Sequence, residues 1–176
     1  MPDLIDDYKK FWKCIVLPDY QDFMSEIDNV RKAFHLAGSL FHMADWLYWG
    51  NKNYIDANFS FIDKNGATQP VSDEKTFANA VRDLYPDFEL IRGIANAGKH
   101  LQIRKGQHDA SPVSASNTYV TSTGFGTGGY GMGPYGGTPR VLQQGPNNQD
   151  IEMTDLAKRI HEMWVKLCAD HNFSLE

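Results

Sequence analysis

Two groups of polar side chains in this sequence have the types and spacing for proton transfer. Arg92, Asn96, Lys99 and His100 crowd the stretch "RGIANAGKH" (residues 92–100), and His42 and Asp45 stand three residues apart in another segment. On a helix, Asn96 and His100 would stack on one face at i, i+4, with Arg92 one turn before Asn96 and Lys99 beside His100. A neutral imidazole can take a proton from a hydroxyl, an amide can orient a substrate oxygen, and Lys99 or Arg92 can stabilise charge developing on a phosphorane. Those are the parts of an RNA-cleaving site that needs no metal. The plainer alternative is a helix C-terminus carrying Lys, His and Arg because cations suit its dipole. In the second group, Asp45 can orient His42 and hold it charged. His35, Ser39 and His42 follow one another at i, i+4, i+7 on the same side. A metal would need further ligands from elsewhere, so neither a metal nor another cofactor is expected.

Charge is distributed unevenly. The whole chain carries −5, but residues 90–149 hold five basic residues (Arg92, Lys99, Arg104, Lys105, Arg140) against the single acid Asp109, a local +4 that leaves −9 elsewhere. A basic face on an acidic body can attract an anion. The 176 residues suit one domain with a hydrophobic core. No apolar run is long enough to span a membrane and the N-terminus has no apolar signal region, so a cytoplasmic protein with no membrane partner is expected. Cys14 and Cys168 match no metal or redox pattern and read as small buried residues.

The elements that would position these groups are mostly helical. Phe23, Ile27, Val30, Phe34, Ala37, Phe41, Ala44 and Tyr48 recur at alternating spacings of 4 and 3, which predicts one long helix over residues 19–49. Pro18 and Asp19 would start it and Gly50-Asn51 would stop it, with a short helix before it over residues 4–15. An irregular or extended piece follows, with a short hairpin near 54–68 turning at Asn65-Gly66. Ser72-Asp73 opens a capped helix, and Pro86 starts the next, which ends near residues 101–104. Met153, Leu156, Ile160, Met163 and Leu167, widened by Trp164, form the last stripe, on a helix starting at Asp150. The expected fold is all-α: a single domain (residues 1–176) built as a four- to five-helix bundle.

Residues 106–149 interrupt it as a Gly/Ser/Tyr-rich insertion, expected to be a long loop or a β-hairpin. "SNTYVTST" and "PRVLQQ" would be its strands. Eight glycines among residues 124–137 exclude a helix there, since each costs about 1 kcal/mol relative to alanine. Tyr130, Tyr135 and Phe125 among those glycines suit adaptable contacts with a protein partner.

"IANAGKHLQI" late in such a bundle resembles the signature region of HEPN-type domains. That resemblance covers about 110 residues: the helices around 19–49 and 72–104, and the C-terminal one. The family motif is an Arg, often followed by Asn, then His after four to six intervening residues. Asn96 and His100 match; the Arg positions fall on Gly93, Ile94 and Ala95, and Arg92 lies one residue too far upstream. The resemblance implies a small all-α bundle, often a homodimer, and in many members a metal-independent endoribonuclease. His100 would be the general base and Asn96 the positioning group, with Lys99 or Arg92 in place of the missing Arg and His42 and Asp45 in support. The departure from the motif ranks first a non-catalytic module that binds RNA, a nucleotide or a protein partner. An endoribonuclease comes second, and an interaction protein acting through residues 124–137 third.

Overall fold

The computed structural model describes residues 4–99, 118–121, 140–144 and 150–176. Among them the fold is mostly helical. It is not all-α, because two small antiparallel sheets accompany the helices.

The first helical stretch runs without a break from α1 (Tyr8–Phe11) through a π turn (Trp12–Val16) into α2 (Leu17–Ser25). Pro18 therefore lies inside a helix and does not begin one. Its ring would clash with a carbonyl in a regular α-helix, and it has no N–H to give. The π turn relieves this: the Leu17 N–H reaches back five residues to the Trp12 carbonyl, widening the turn just before the proline.

The long helix predicted over 19–49 is split. Residues 26–29 leave helical geometry, and α3 (Val30–Gly50) begins anew with Asn29 as its cap, the side chain accepting from the Lys32 N–H at 3.2 Å. Asn29 also donates to Glu26, which pairs with Lys32 at 2.9 Å. A polar cap of this kind competes successfully with the i→i−4 ladder although the apolar period continues across it. The break has a structural use, because the Ile27 carbonyl accepts the Val141 N–H and so docks a sheet on the bundle.

The buried face of α3 is Ala33, Leu36, Leu40, Met43 and Leu47, with Ala37, Ala44 and Tyr48 beside it. Phe34 and Phe41, central to the predicted stripe, are only partly buried and flank this face. Gly50, at the end of α3, sits under the Tyr8 ring: a Cβ there would lie 2.4 Å from Tyr8 Cδ1, so only glycine permits the contact.

Residues read as extended after Gly50 fold into a further helix, α4 (Lys52–Asn58). The hairpin follows as expected, with β1 (Ser60–Ile62) antiparallel to β2 (Thr68–Pro70) and Gly66 at φ +79° in its turn. Helix α5 (Glu74–Leu84) starts at a capping box in which Asp73 accepts from the Thr76 N–H at 2.7 Å. Helix α6 (Asp87–Lys99) follows directly, Pro86 lying one residue before it. From the predicted insertion, β3 (Thr118–Thr121) and β4 (Arg140–Gln144) pair antiparallel. Residues 150–152, read as the start of the last helix, are instead a third strand, β5 (Asp150–Glu152), on the other side of β4. Residues 124–137 lie outside the described residues.

Helix α7 (Met153–Asp170) buries Met153, Leu156, Ile160, Met163, Trp164 and Leu167 on the face its periodicity predicts. Asn172 adopts a left-handed φ of 56° just past its end, which turns Phe173 back under the helix. Cys168 is buried in this core and burial pushes its thiol up to about 12, whereas Cys14, expected inside, is exposed on the π turn. In a thiol-labelling experiment the native chain should react once, at Cys14. Cys168 should label only after denaturation, and rapid double labelling of the folded chain would contradict its burial.

Candidate functional site

Helices α3 and α6, which carry the residues singled out for chemistry, pack closely along one another, with Phe41 of α3 against Phe88 of α6 at a centroid distance of 5.9 Å. On α3, His42 Nδ1 and Asp45 Oδ2 are 2.9 Å apart, and both side chains are a little over one-third exposed. The i, i+3 pair forms as its spacing predicts, at the edge of the bundle where solvent reaches it. Ser39 does not join it: it is buried and its Oγ donates to the Leu36 carbonyl within its own helix at 3.1 Å. His35 is exposed, so the i, i+4, i+7 row spans different environments and is not one polar cluster.

On α6, Arg92 turns inward. It is buried, Nη1 donating to Asn79 Oδ1 of α5 at 3.1 Å and standing 3.7 Å from Glu89 Oε2. A guanidinium so placed ties α5 to α6. Gly93, Ile94, Ala95 and Ala97 are buried, while Asn96 is half-buried at an edge of this face. Lys99 ends α6; its side chain and the whole of His100 lie outside the described residues. Among the described residues no cluster of His, Cys, Asp and Glu could hold a metal ion, and no helix is long and apolar enough to cross a membrane.

No family model matches this chain, nor does any curated protein or solved structure.

Two other arrangements combine titratable side chains. At the α3–α4 corner the buried Tyr48 donates to Asp56 Oδ1 at 3.0 Å, and Lys52 Nζ donates to Tyr48 Oη at 2.7 Å and to Asp56 Oδ2 at 2.6 Å. The Asp56 and Tyr48 hydrogen bonds push Lys52 up to about 12, and the Lys52 bond holds Asp56 below the ordinary carboxylate range. Burial raises the Tyr48 phenol. Neither Lys52 nor Tyr48 is then a base at neutral pH, and the triad acts as a clamp. Asp56 contributes stability above its ordinary value of 3.8, lost only as pH falls through its lower folded value. Lys52 contributes below 10.5, lost only as pH rises through about 12. The i, i+4, i+8 spacing is visible in the sequence, but lies across a segment whose composition reads as irregular.

The second joins α7 to the first helical stretch. His161 stacks on Tyr20 at 4.5 Å and lies 5.1 Å from Trp12. Burial lowers its pKa from 6.5, so a proton binds the unfolded chain more tightly than the folded one. Stability should therefore fall once pH drops below about 6.5, and stop responding to this group below its folded value. Thermal midpoints measured across that range should slope less in His161→Gln than in wild type. Equal slopes would show that His161 stays solvated.

Proposed function

We propose that this chain is a HEPN-like helical module that binds RNA or a nucleotide without cleaving it, through polar residues of the packed helices α3 and α6, His42 and Asp45 on the one and Asn96 on the other. What supports this reading is the place of Arg92. Arg92, one of the two cations that could replace the missing Arg, is buried between α5 and α6 on Asn79 and Glu89, where it holds helices together and does not face a scissile phosphate. Without it, Lys99 alone is left to stabilise a phosphorane, while a polar, partly exposed helix edge remains for an anion to meet.

The His42–Asp45 pair favours one second reading. A carboxylate-oriented imidazole at a solvent-reached edge is also what a metal-independent endoribonuclease would place beside the base His100.

One experiment separates the two. The full chain and its His100→Ala variant are incubated with a mixed pool of labelled RNA in excess EDTA, and both retention and cleavage are measured. The binding reading expects retention that weakens with added salt and an intact pool. Cleavage by wild type that is lost in His100→Ala would replace it with the nuclease. An intact pool with no retention would redirect the search to a protein partner.

A further inference from the structure

We propose that Asn65 is a spontaneous modification site, converting to aspartate and isoaspartate at a rate set by closure of the β1–β2 hairpin. It is the one asparagine in the sequence followed by glycine, and both residues are exposed at the hairpin tip. Among the described residues no hydrogen bond holds its carboxamide, and nothing lies within 4 Å of where a Gly66 Cβ would stand. The exposed Asn58 differs on both counts: its amide donates to the Tyr54 carbonyl at 2.8 Å, and the ring of Phe59 follows it.

The chemistry needs only water. The Gly66 main-chain nitrogen attacks Cγ of Asn65 and gives its proton to water; a C–N bond forms, the Cγ–Nδ2 bond breaks, and the side-chain nitrogen takes a proton from water and leaves as ammonia. One water then opens the resulting succinimide at either carbonyl, giving aspartate or isoaspartate.

The hairpin holds back the first step. The Gly66 N–H donates to the Asp63 carbonyl at 2.9 Å, and attack requires that bond to break and the nitrogen to turn toward Cγ. Asp63 reinforces the turn from the side, its carboxylate accepting from the Asn65 N–H at 2.8 Å and the Ala67 N–H at 3.0 Å, and from Gln69. These backbone bonds, with Ala67 first, hold the Asp63 carboxyl below its usual range. A second carboxylate at position 65 would oppose that charge. Isoaspartate would add a methylene to the main chain between Asp63 and Ala67, and the Asp63 N–H closes the hairpin on the Ala67 carbonyl at 2.9 Å. On the other side β1 is fixed, because the Ile62 N–H donates to Asp83 at 2.7 Å, so the added length falls on the β1–β2 register.

The test follows the intact chain at neutral pH, folded and in guanidinium, by peptide mapping that separates asparagine, aspartate and isoaspartate at position 65. Asn65→Gln serves as the assay control. Conversion is expected in both states, about two- to tenfold slower when folded, as one backbone hydrogen bond would impose. Asp63→Ala should raise the folded rate toward the unfolded one. Equal rates in folded and unfolded wild type would overturn the gating. Product in guanidinium with none in the folded chain over the same sampling would overturn the site itself. Both of these comparisons use wild type alone, so they hold whether or not the Asp63 variant folds.

Discussion

Trp164→Ala is expected to cost about 3–5 kcal/mol of folding stability, the range for removing a large buried aromatic. Trp164 is fully buried on α7, its indole N–H donates to the Leu40 carbonyl of α3 at 2.9 Å, and its ring meets Phe88 of α6 edge-on at 5.6 Å. One side chain thus joins three helices, so truncation would leave a cavity among all three as well as a lost polar contact. Trp164→Phe keeps most of the ring and should lose less than the alanine variant. Denaturant unfolding measures both, and an alanine cost under about 1 kcal/mol would mean that α3, α6 and α7 do not converge on this residue.

The second large effect is at Arg92. Arg92→Met is expected to lose about 1.5–3 kcal/mol, the range for a hydrogen bond to a charged group. It removes the bond to Asn79 and leaves Glu89, whose Oε2 is buried with no hydrogen bond among the described residues, without this cation beside it. Adding Glu89→Gln should recover part of the loss, because the two changes act on one contact and are not additive. The same variant informs function. If Arg92 ties helices together, its loss lowers stability and leaves RNA retention in the folded fraction near wild type. Wild-type stability with lost retention would make Arg92 a phosphate contact and weaken the binding reading as it stands.

Helix identity was legible where a sequence pattern coincided with a local physical cause. The α7 stripe, the Asp73 start of α5 and the Asn65-Gly66 turn each depend on residues close in sequence, and each forms where expected. The His42–Asp45 pair belongs with them, since i, i+3 neighbours on a helix meet whatever surrounds them. The Asn29 cap was harder to read, because it interrupts the backbone ladder while the apolar period runs on past it, and the π turn before Pro18 carries a helix through a place where the proline reads as a boundary. The face of α3 was set about one residue away from the predicted stripe. Ala33 and Leu36 are buried in the core while Phe34, the larger apolar side chain, flanks them.

By itself, then, the sequence determined that most of the described residues are helical, where several helices begin, and that His42 and Asp45 meet, because these follow from bonds and contacts within a few residues. Tertiary structure decided the rest. It turned Arg92 inward onto Asn79, closed the Tyr48–Lys52–Asp56 clamp and stacked His161 on Tyr20. It also joined residues 150–152 to β4 as a third strand and docked that sheet on the Ile27 carbonyl. Arg92, His161 and the sheet meet partners about a dozen to well over a hundred residues away in sequence, and the clamp needed a helix where an extended chain was expected. Which way a side chain turns at such a place depends on the helix or strand packed against it, and local spacing carries no record of that neighbour.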